Sequence, residues 1–300
     1  MTTIAPPAPV ARLGPAAKHR SRMIRNGIAT VCIVLSFVVV LVPLALLIGY
    51  VVVRGRDLFG YAFLTKEIPT PRDPGPGMGP AVYGTLLITG AATMMAVPLG
   101  VLGGVYLSEY GRTGLIARVL RFLAEVMTGV PSIIMGLFVY TAVVLHTQNL
   151  NAFAGALALG CLMLPIVIRT TDEMLRLVPA ELREGSVALG SRQARTIVRI
   201  VLPAAAPGIV SGALLAVARA AGETAPLLFV IGTAFRTNKS LFNGSNTTLS
   251  VQIFKNASSP FLASQQRAWA AALTLIGIVF IFTVLARIFT ALYSRRSTAT

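Results

Sequence analysis

Charge is scarce in this sequence. Only 12% of its 300 residues are Asp, Glu, Lys or Arg and 55% are apolar, whereas an ordinary soluble domain carries roughly 25% charged residues. Such a chain cannot cover itself with a water-facing surface, so lipid is its natural solvent. Cysteine is scarcer still: Cys32 and Cys161 both fall in apolar stretches, where a thiol behaves as a small hydrophobe and neither a disulfide nor a thiolate metal site is expected. His19 and His146 stand far apart and outside any carboxylate motif, so no histidine metal site is expected either. There is no Gly-Lys pair anywhere, which excludes a phosphate-binding P-loop and with it P-loop ATP hydrolysis by this chain. Strand-like alternation is missing, and so is the internal repeat of a transporter built from two related halves.

What is present is a series of long uncharged runs. A helix needs roughly 20 mostly apolar residues to cross about 30 Å of hydrocarbon. Twenty-eight uncharged residues lie between Arg25 and Arg54, 35 between Asp73 and Glu109, and 19 between Arg267 and Arg287. The 43 between Glu125 and Arg169 are too many for one crossing and divide at Gln148-Asn149-Leu150-Asn151, giving two helices. A further run from about Pro207 to Thr233, interrupted only by Arg219 and Glu223, completes six. Because backbone groups in lipid must be paired within their own segment, the fold class is all-α, a polytopic membrane protein with six transmembrane helices.

Lys and Arg set the orientation. Seventeen of the 26 fall on the side of the two termini, eight on the other side, and Arg219 lies inside a span. Both termini are therefore expected in the cytoplasm, and the net charge of +16 reflects topology and attraction to anionic lipid, with no nucleic acid as partner. Residues 1–22, rich in Ala, Pro and basic side chains, are expected to be a disordered cytoplasmic tail, followed by a first span over 23–53. The Pro- and Gly-dense segment within 54–82 predicts a non-helical outer loop, and 83–294 a five-helix core with a second outer loop at 234–266.

The connection from Arg169 to Leu202 carries ten charges and is long for a turn between helices. A short helix over 180–190 is expected within it. Pro179 can start that helix, Glu181 and Glu184 suit its positively polarised beginning, and Gly190 suits a left-handed residue at its end. Leu182, Val187 and Leu189 give it an apolar side. A helix this short is unstable alone in water, so that side calls for a partner to pack on.

Glu184-Gly185-Ser186, then Gly190, then Ile200-Val201-Leu202-Pro203 resembles the coupling loop of type I ABC importer permeases with the MetI-like fold, with every spacing matched. Gly185 and Ser186 stand where that family has alanines, and as small residues are expected to keep the tight packing. The resemblance implies that Glu184, Gly185, Ser186, Gly190, Ile200, Leu202 and Pro203 couple the chain to two nucleotide-binding ATPase subunits. ATP and Mg would be bound by those partners and no cofactor by this chain, which would be a permease and not an enzyme.

Arg219 lies 12 residues beyond Pro207, about 18 Å along a helix and so close to the bilayer midplane, where an arginine normally faces a partner or a water-filled route. Glu223, four residues on, is within pairing reach. Gly222 and Pro226 flank the pair, and Pro226 removes a backbone hydrogen bond, so the helix should bend or open there. A guanidinium beside loosened backbone suits a tetrahedral oxyanion, because its planar fork offers two parallel hydrogen bonds. Glu223 could orient Arg219 and accept a proton from a hydrogen-bearing oxyanion. The alternative is that the two only clamp each other or a partner permease.

Arg219-Ala220-Ala221-Gly222-Glu223-Thr224-Ala225-Pro226-Leu227-Leu228-Phe229 resembles the signature of the phosphate-specific importer's PstA-type permeases. Tyr106–Tyr110, Gly129–Ile133 and Leu164–Glu173 resemble that family's recurring stretches in the right order. The resemblance implies Arg219, Glu223 and Thr224 as substrate-binding residues. It further implies a homologous PstC-type permease, an extracytoplasmic phosphate-binding protein and inorganic phosphate as partners, in a bacterial cell membrane. An ABC importer for another solute and a proton-coupled secondary transporter using Glu223 are the alternatives. Glu109, Glu125 and Arg169, each near a cytoplasmic helix end, are expected to be interface anchors or inter-helix pairs.

Overall fold

The computed structural model describes residues 16–111 and 114–297, and every regular element among them is helical. Helix α1 (Ala16–Gly55) has a mean hydropathy of 3.2 over its membrane-length part, Arg22–Gly55, long and apolar enough to cross a bilayer. It begins at Ala16, so residues 16–22 are helical where a disordered tail was expected; residues 1–15 of that tail lie outside the described residues.

Residues 51–300 form a second compact unit. Its first loop holds a short helix α2 (Tyr61–Thr65), anchored by fully buried Phe63. Helix α3 (Gly79–Val105) runs on into a π segment, Tyr106–Tyr110. Helix α4 (Leu115–Gly129) is followed by α5 (Ser132–Val139), which continues through a second π segment, Tyr140–Val144, into a last turn α6 (Leu145–Thr147). Next come α7 (Ala152–Arg176) and the short α8 (Ala180–Ala188). Helix α9 (Gln193–Thr196), a third π segment (Ile197–Val201) and α10 (Leu202–Gly222) form one rod of 30 residues. Short helices α11 (Leu227–Val230) and α12 (Leu249–Ala257) precede α13 (Leu262–Ser297).

Among the described residues, five helices are long and apolar enough to cross a membrane: Arg22–Gly55, Gly79–Tyr110, Ala152–Arg176, Gln193–Gly222 and Leu262–Leu285. A bent pair, Leu115–Gly129 and Ser132–Thr147 at 105°, meets the same test taken together and brings the number to six when counted as one span. The sequence suggested one helix starting after Glu125. The chain turns instead at Val130, which is extended (ψ 129°) because the ring of the following Pro131 disfavours helical backbone in the residue before it. The polar turn expected after this segment is present: Gln148 adopts φ +50°, and the Asn151 side chain accepts the Ala154 N–H at 2.8 Å to cap α7.

The fifth span also shifts. It was placed over 207–233 but runs from Gln193 to Gly222, after which Glu223 is extended (φ −68°, ψ 134°). The glycine weakens the last turn, and Pro226 can neither donate a helical hydrogen bond nor allow Ala225 a comfortable helical conformation. The outer loop expected over 234–266 likewise contains α12 and the start of α13.

Small side chains build the core. Ala92, Ala154, Ala156 and Ala158 are completely buried where α3, α5, α7 and α10 meet. A Cβ on Gly104 of α3 would lie 2.5 Å from the Thr171 Cβ of α7, so the backbones approach as only glycine allows. In lipid, where apolar surface gives helices no reason to associate, such close van der Waals packing supplies much of the attraction.

Candidate functional site

Arg219 occupies the last turn of α10, and Glu223 caps that helix, donating its backbone N–H to Ala220 O at 3.2 Å. The expected pair exists, with Arg219 Nε 3.6 Å from Glu223 Oε1. That is an ion pair without a close hydrogen bond, since charge-assisted N–H···O contacts run about 2.7–2.9 Å. The Arg219 side chain is 70% exposed and Glu223 19%. A guanidinium placed this way keeps its fork open to an incoming anion, while the carboxylate is held in the structure. Arg219 is therefore at the end of a rod, some 26 residues and about 39 Å from Gln193, and not midway along a span as the sequence suggested.

Beyond Glu223 the chain turns through half-buried Thr224, whose carbonyl accepts Leu228 N–H at 3.3 Å, into α11 capped by Pro226. Gly222 has open space around its Cβ direction. Helix α12 supports the segment: Ser250 Oγ donates to Glu223 O at 2.8 Å, and the Leu249 N–H donates to Thr85 Oγ1 of α3 at 2.9 Å. The backbone carrying the carboxylate is thus tied through α12 to α3. Lys255, also on α12, donates to Thr233 Oγ1, and burial pushes its ammonium below the usual lysine value.

At the opposite end of the rod, Leu182 and Val187 of α8 and Leu189 just beyond it are 47%, 56% and 88% exposed. Glu184 is exposed beside them, and Gly190 ends the turn at φ +81°. The tight packing expected at both small residues occurs only at Ser186, which is buried and shares a 2.8 Å hydrogen bond with Thr196 Oγ1; a Cβ on Gly185 would meet nothing. Ile200, Leu202 and Pro203 are half-buried in the rod that leads to Arg219.

Sequence reasoning missed the partners of several charges. Arg183, on α8, lays its guanidinium on Glu109 of the first π segment, with Nη2 2.9 Å from Oε1 and Nε 3.4 Å from Oε2. The same arginine donates to Val178 O and Leu175 O at 2.6 and 2.7 Å. Arg121 of α4 and Arg176 of α7 share Asp172 at 3.4 and 2.8 Å. Arg267 is 1% exposed and donates to the carbonyls of Asp73, Thr70 and Pro71. Of the anchors the sequence singled out, Glu109 forms an inter-helix pair and Arg169 pairs with Glu173 in its own helix at 2.9 Å, while Glu125 is exposed. A charge at the margin of an apolar run was the available signal; the partner's identity was not.

Residues 96–298 match the family described as binding-protein-dependent transport system inner membrane component. The chain belongs to this family. Among curated relatives, the permease is 46% identical over 263 residues to a Mycobacterium tuberculosis protein named phosphate transport system permease protein PstA 1, covering 86% of each chain. It is 41% identical over 272 residues to the PstA permease of Yersinia pestis, covering 90% of this chain and 92% of that one. Among solved structures, a chain of the MetNI methionine ABC transporter in an inward-facing conformation superposes with a TM-score of 0.58 at 18% identity, covering 71% of the permease and 94% of that chain. A bacterial ABC transporter involved in alginate import gives 0.57 at 12% identity, covering 91% and 97%. At those identities the likeness is one of fold, and the fold is MetI-like.

Proposed function

We propose that this permease is the membrane subunit of an ATP-driven importer of inorganic phosphate, coupled through α8 to a separate ATPase. The observation that carries the reading is the exposure of three large apolar side chains, Leu182 and Val187 on α8 and Leu189 just beyond it, outside every membrane-length helix. Water does not stabilise such a surface on a nine-residue helix, and a groove on a soluble subunit would. The cargo follows from the names of the relatives together with the chemistry of Arg219 and Glu223.

In this reading α8 and both termini are cytoplasmic, as the bias of Lys and Arg requires. Two ATPase subunits bind the nucleotide and Mg, and their closure pushes α8. A second, homologous permease completes the pathway on the side that Arg219 faces, and an extracytoplasmic binding protein delivers phosphate. Arg219 receives two oxygens of the anion through its fork, and Glu223 fixes the guanidinium and accepts hydrogen bonds from a protonated phosphate oxygen. A fully deprotonated tetrahedral anion lacks that donor and meets the carboxylate's charge instead.

The test is phosphate uptake into vesicles by the reconstituted complex carrying Arg219→Gln or Glu223→Gln. Uptake should fall in both while assembly is retained. Undiminished uptake in both variants removes the site, and uptake that follows a proton gradient and ignores ATP removes the class.

A further inference from the structure

Two side chains of α8, Ser186 and Arg183, tie it to the membrane helices. Ser186 bonds to Thr196, at the root of the rod that carries Arg219. Arg183 bonds to Glu109, at the end of α3. Only the first leads along the chain to the proposed site, and the second joins residues 74 positions apart.

The second link is the better built. The Glu109 side chain is 4% exposed and that of Arg183 17%, and the carboxylate meets the guanidinium fork through two hydrogen bonds. Arg183 fills its remaining donors with carbonyls at the end of α7, so it cannot swing away without leaving several polar groups unpaired. Glu109 is equally fixed. It sits in a π segment closed by Gly111 N–H to Tyr106 O at 2.7 Å, and its own carbonyl accepts Gln193 Nε2 at 3.1 Å. Arg121 holds Leu107 O in the same segment at 2.6 Å. A displacement of α8 would therefore reach α3 through this joint.

Helix α3 runs from that joint to the other end of this compact unit. Thr85 lies 24 residues before Glu109, about 36 Å along the helix. There its hydroxyl receives the first N–H of α12, whose next residue, Ser250, holds the carbonyl of Glu223. Arg219 rides on α10 and Glu223 is tethered through α12 to α3.

We infer that Glu109 and Arg183 form a second coupling joint, through which α8 drives α3, and that unequal travel of α3 and α10 sets the Arg219 to Glu223 separation. The inference rests on the proposed reading that a partner pushes α8. At 3.6 Å the pair is an ion pair without a hydrogen bond, a spacing that a small axial shift closes or opens. Phosphate affinity at Arg219 then depends on the difference between two movements, and cargo is released only when both helices have been driven. Glu109 and Arg183 are positioning residues here, remote from phosphate.

The experiment uses the full complex in vesicles with inorganic phosphate, measuring uptake and ATP hydrolysis together. Glu109→Gln and Arg183→Gln should still recruit the ATPase and hydrolyse ATP, yet phosphate moved per ATP should fall about five-fold or more. The double variant should be no worse than either single one, as for two halves of one joint. Ser250→Ala cuts the far end of the route without touching α8 and should uncouple in the same way. Normal phosphate per ATP in an assembled Glu109→Gln complex overturns the joint. So does normal coupling in Ser250→Ala if the first variants do not assemble, and so does loss of ATPase recruitment alone with normal stoichiometry in what remains. Failure of the underlying reading looks different: Leu182→Asp would leave ATPase recruitment unchanged.

Discussion

Gly136 of α5 lies directly on the backbone of Pro226: a Cβ at position 136 would stand 2.4 Å from the Pro226 Cα and 2.6 Å from its carbonyl oxygen. The residue that breaks the helix after Arg219 and Glu223 is thus seated against a glycine some 90 positions earlier in the chain. The contact fixes where the chain goes after the ion pair, since a proline that ends a helix leaves the following turn without support of its own.

Gly136→Ala should therefore be costly although it adds a single methyl group. Backbone cannot yield as a flexible side chain does, and overpacking of this kind costs about 1–3 kcal/mol. The thermal midpoint of the purified permease should fall, and phosphate uptake should fall with it because the segment from Glu223 is displaced. Gly185→Ala is the matching control, since open space surrounds that position; there alanine should raise helix stability by about 0.5–1 kcal/mol.

Replacing Gly190 tests the other end. Its φ of +81° lies where a side chain with a Cβ is strained, at about 1–2 kcal/mol for a single residue. Gly190→Val should reshape the end of α8 while leaving the membrane helices folded. Binding-protein-stimulated ATP hydrolysis should be lost, and the far-ultraviolet circular dichroism should be unchanged.

Arg267 predicts the behaviour of the loop that precedes α3. This buried arginine holds the carbonyls of Thr70, Pro71 and Asp73 together with Ser264 Oγ, at 2.6 to 3.3 Å. Arg267→Met removes every one of those donors, at a cost of about 2–4 kcal/mol. Proteolysis within residues 66–78 should accelerate, and Arg267→Lys should restore only part of the protection because an ammonium cannot reproduce the fork.

Most of the spans, the short helix within the charged connection and the Arg219–Glu223 pair were legible in the sequence because each is a local property. A membrane helix declares itself by an uninterrupted apolar run, a short helix by its caps, and a pair four residues apart by the pitch of the helix. The breaks were less legible. Pro131 and Pro226 marked where helices weaken, but the 105° turn after Gly129 and the end of the rod at Gly222 depend on what each broken end packs against. Arg219 stands near the end of its helix and not midway along it because the rod starts at Gln193, within a charged segment that composition alone assigns to a loop.

By itself the sequence determined that this chain lives in lipid, that it crosses several times as helices, and that a short helix stands in the charged connection between two crossings. Lipid enforces those conclusions segment by segment, since each crossing must pair its own backbone. Which charges meet was decided only by the tertiary structure. Glu109 finds Arg183, Asp172 finds Arg121, and Arg267 finds carbonyls and no carboxylate. A buried charge accepts whichever donor or acceptor the packing of helices brings within reach, and that packing rests on glycines and alanines whose own side chains carry no record of their partners.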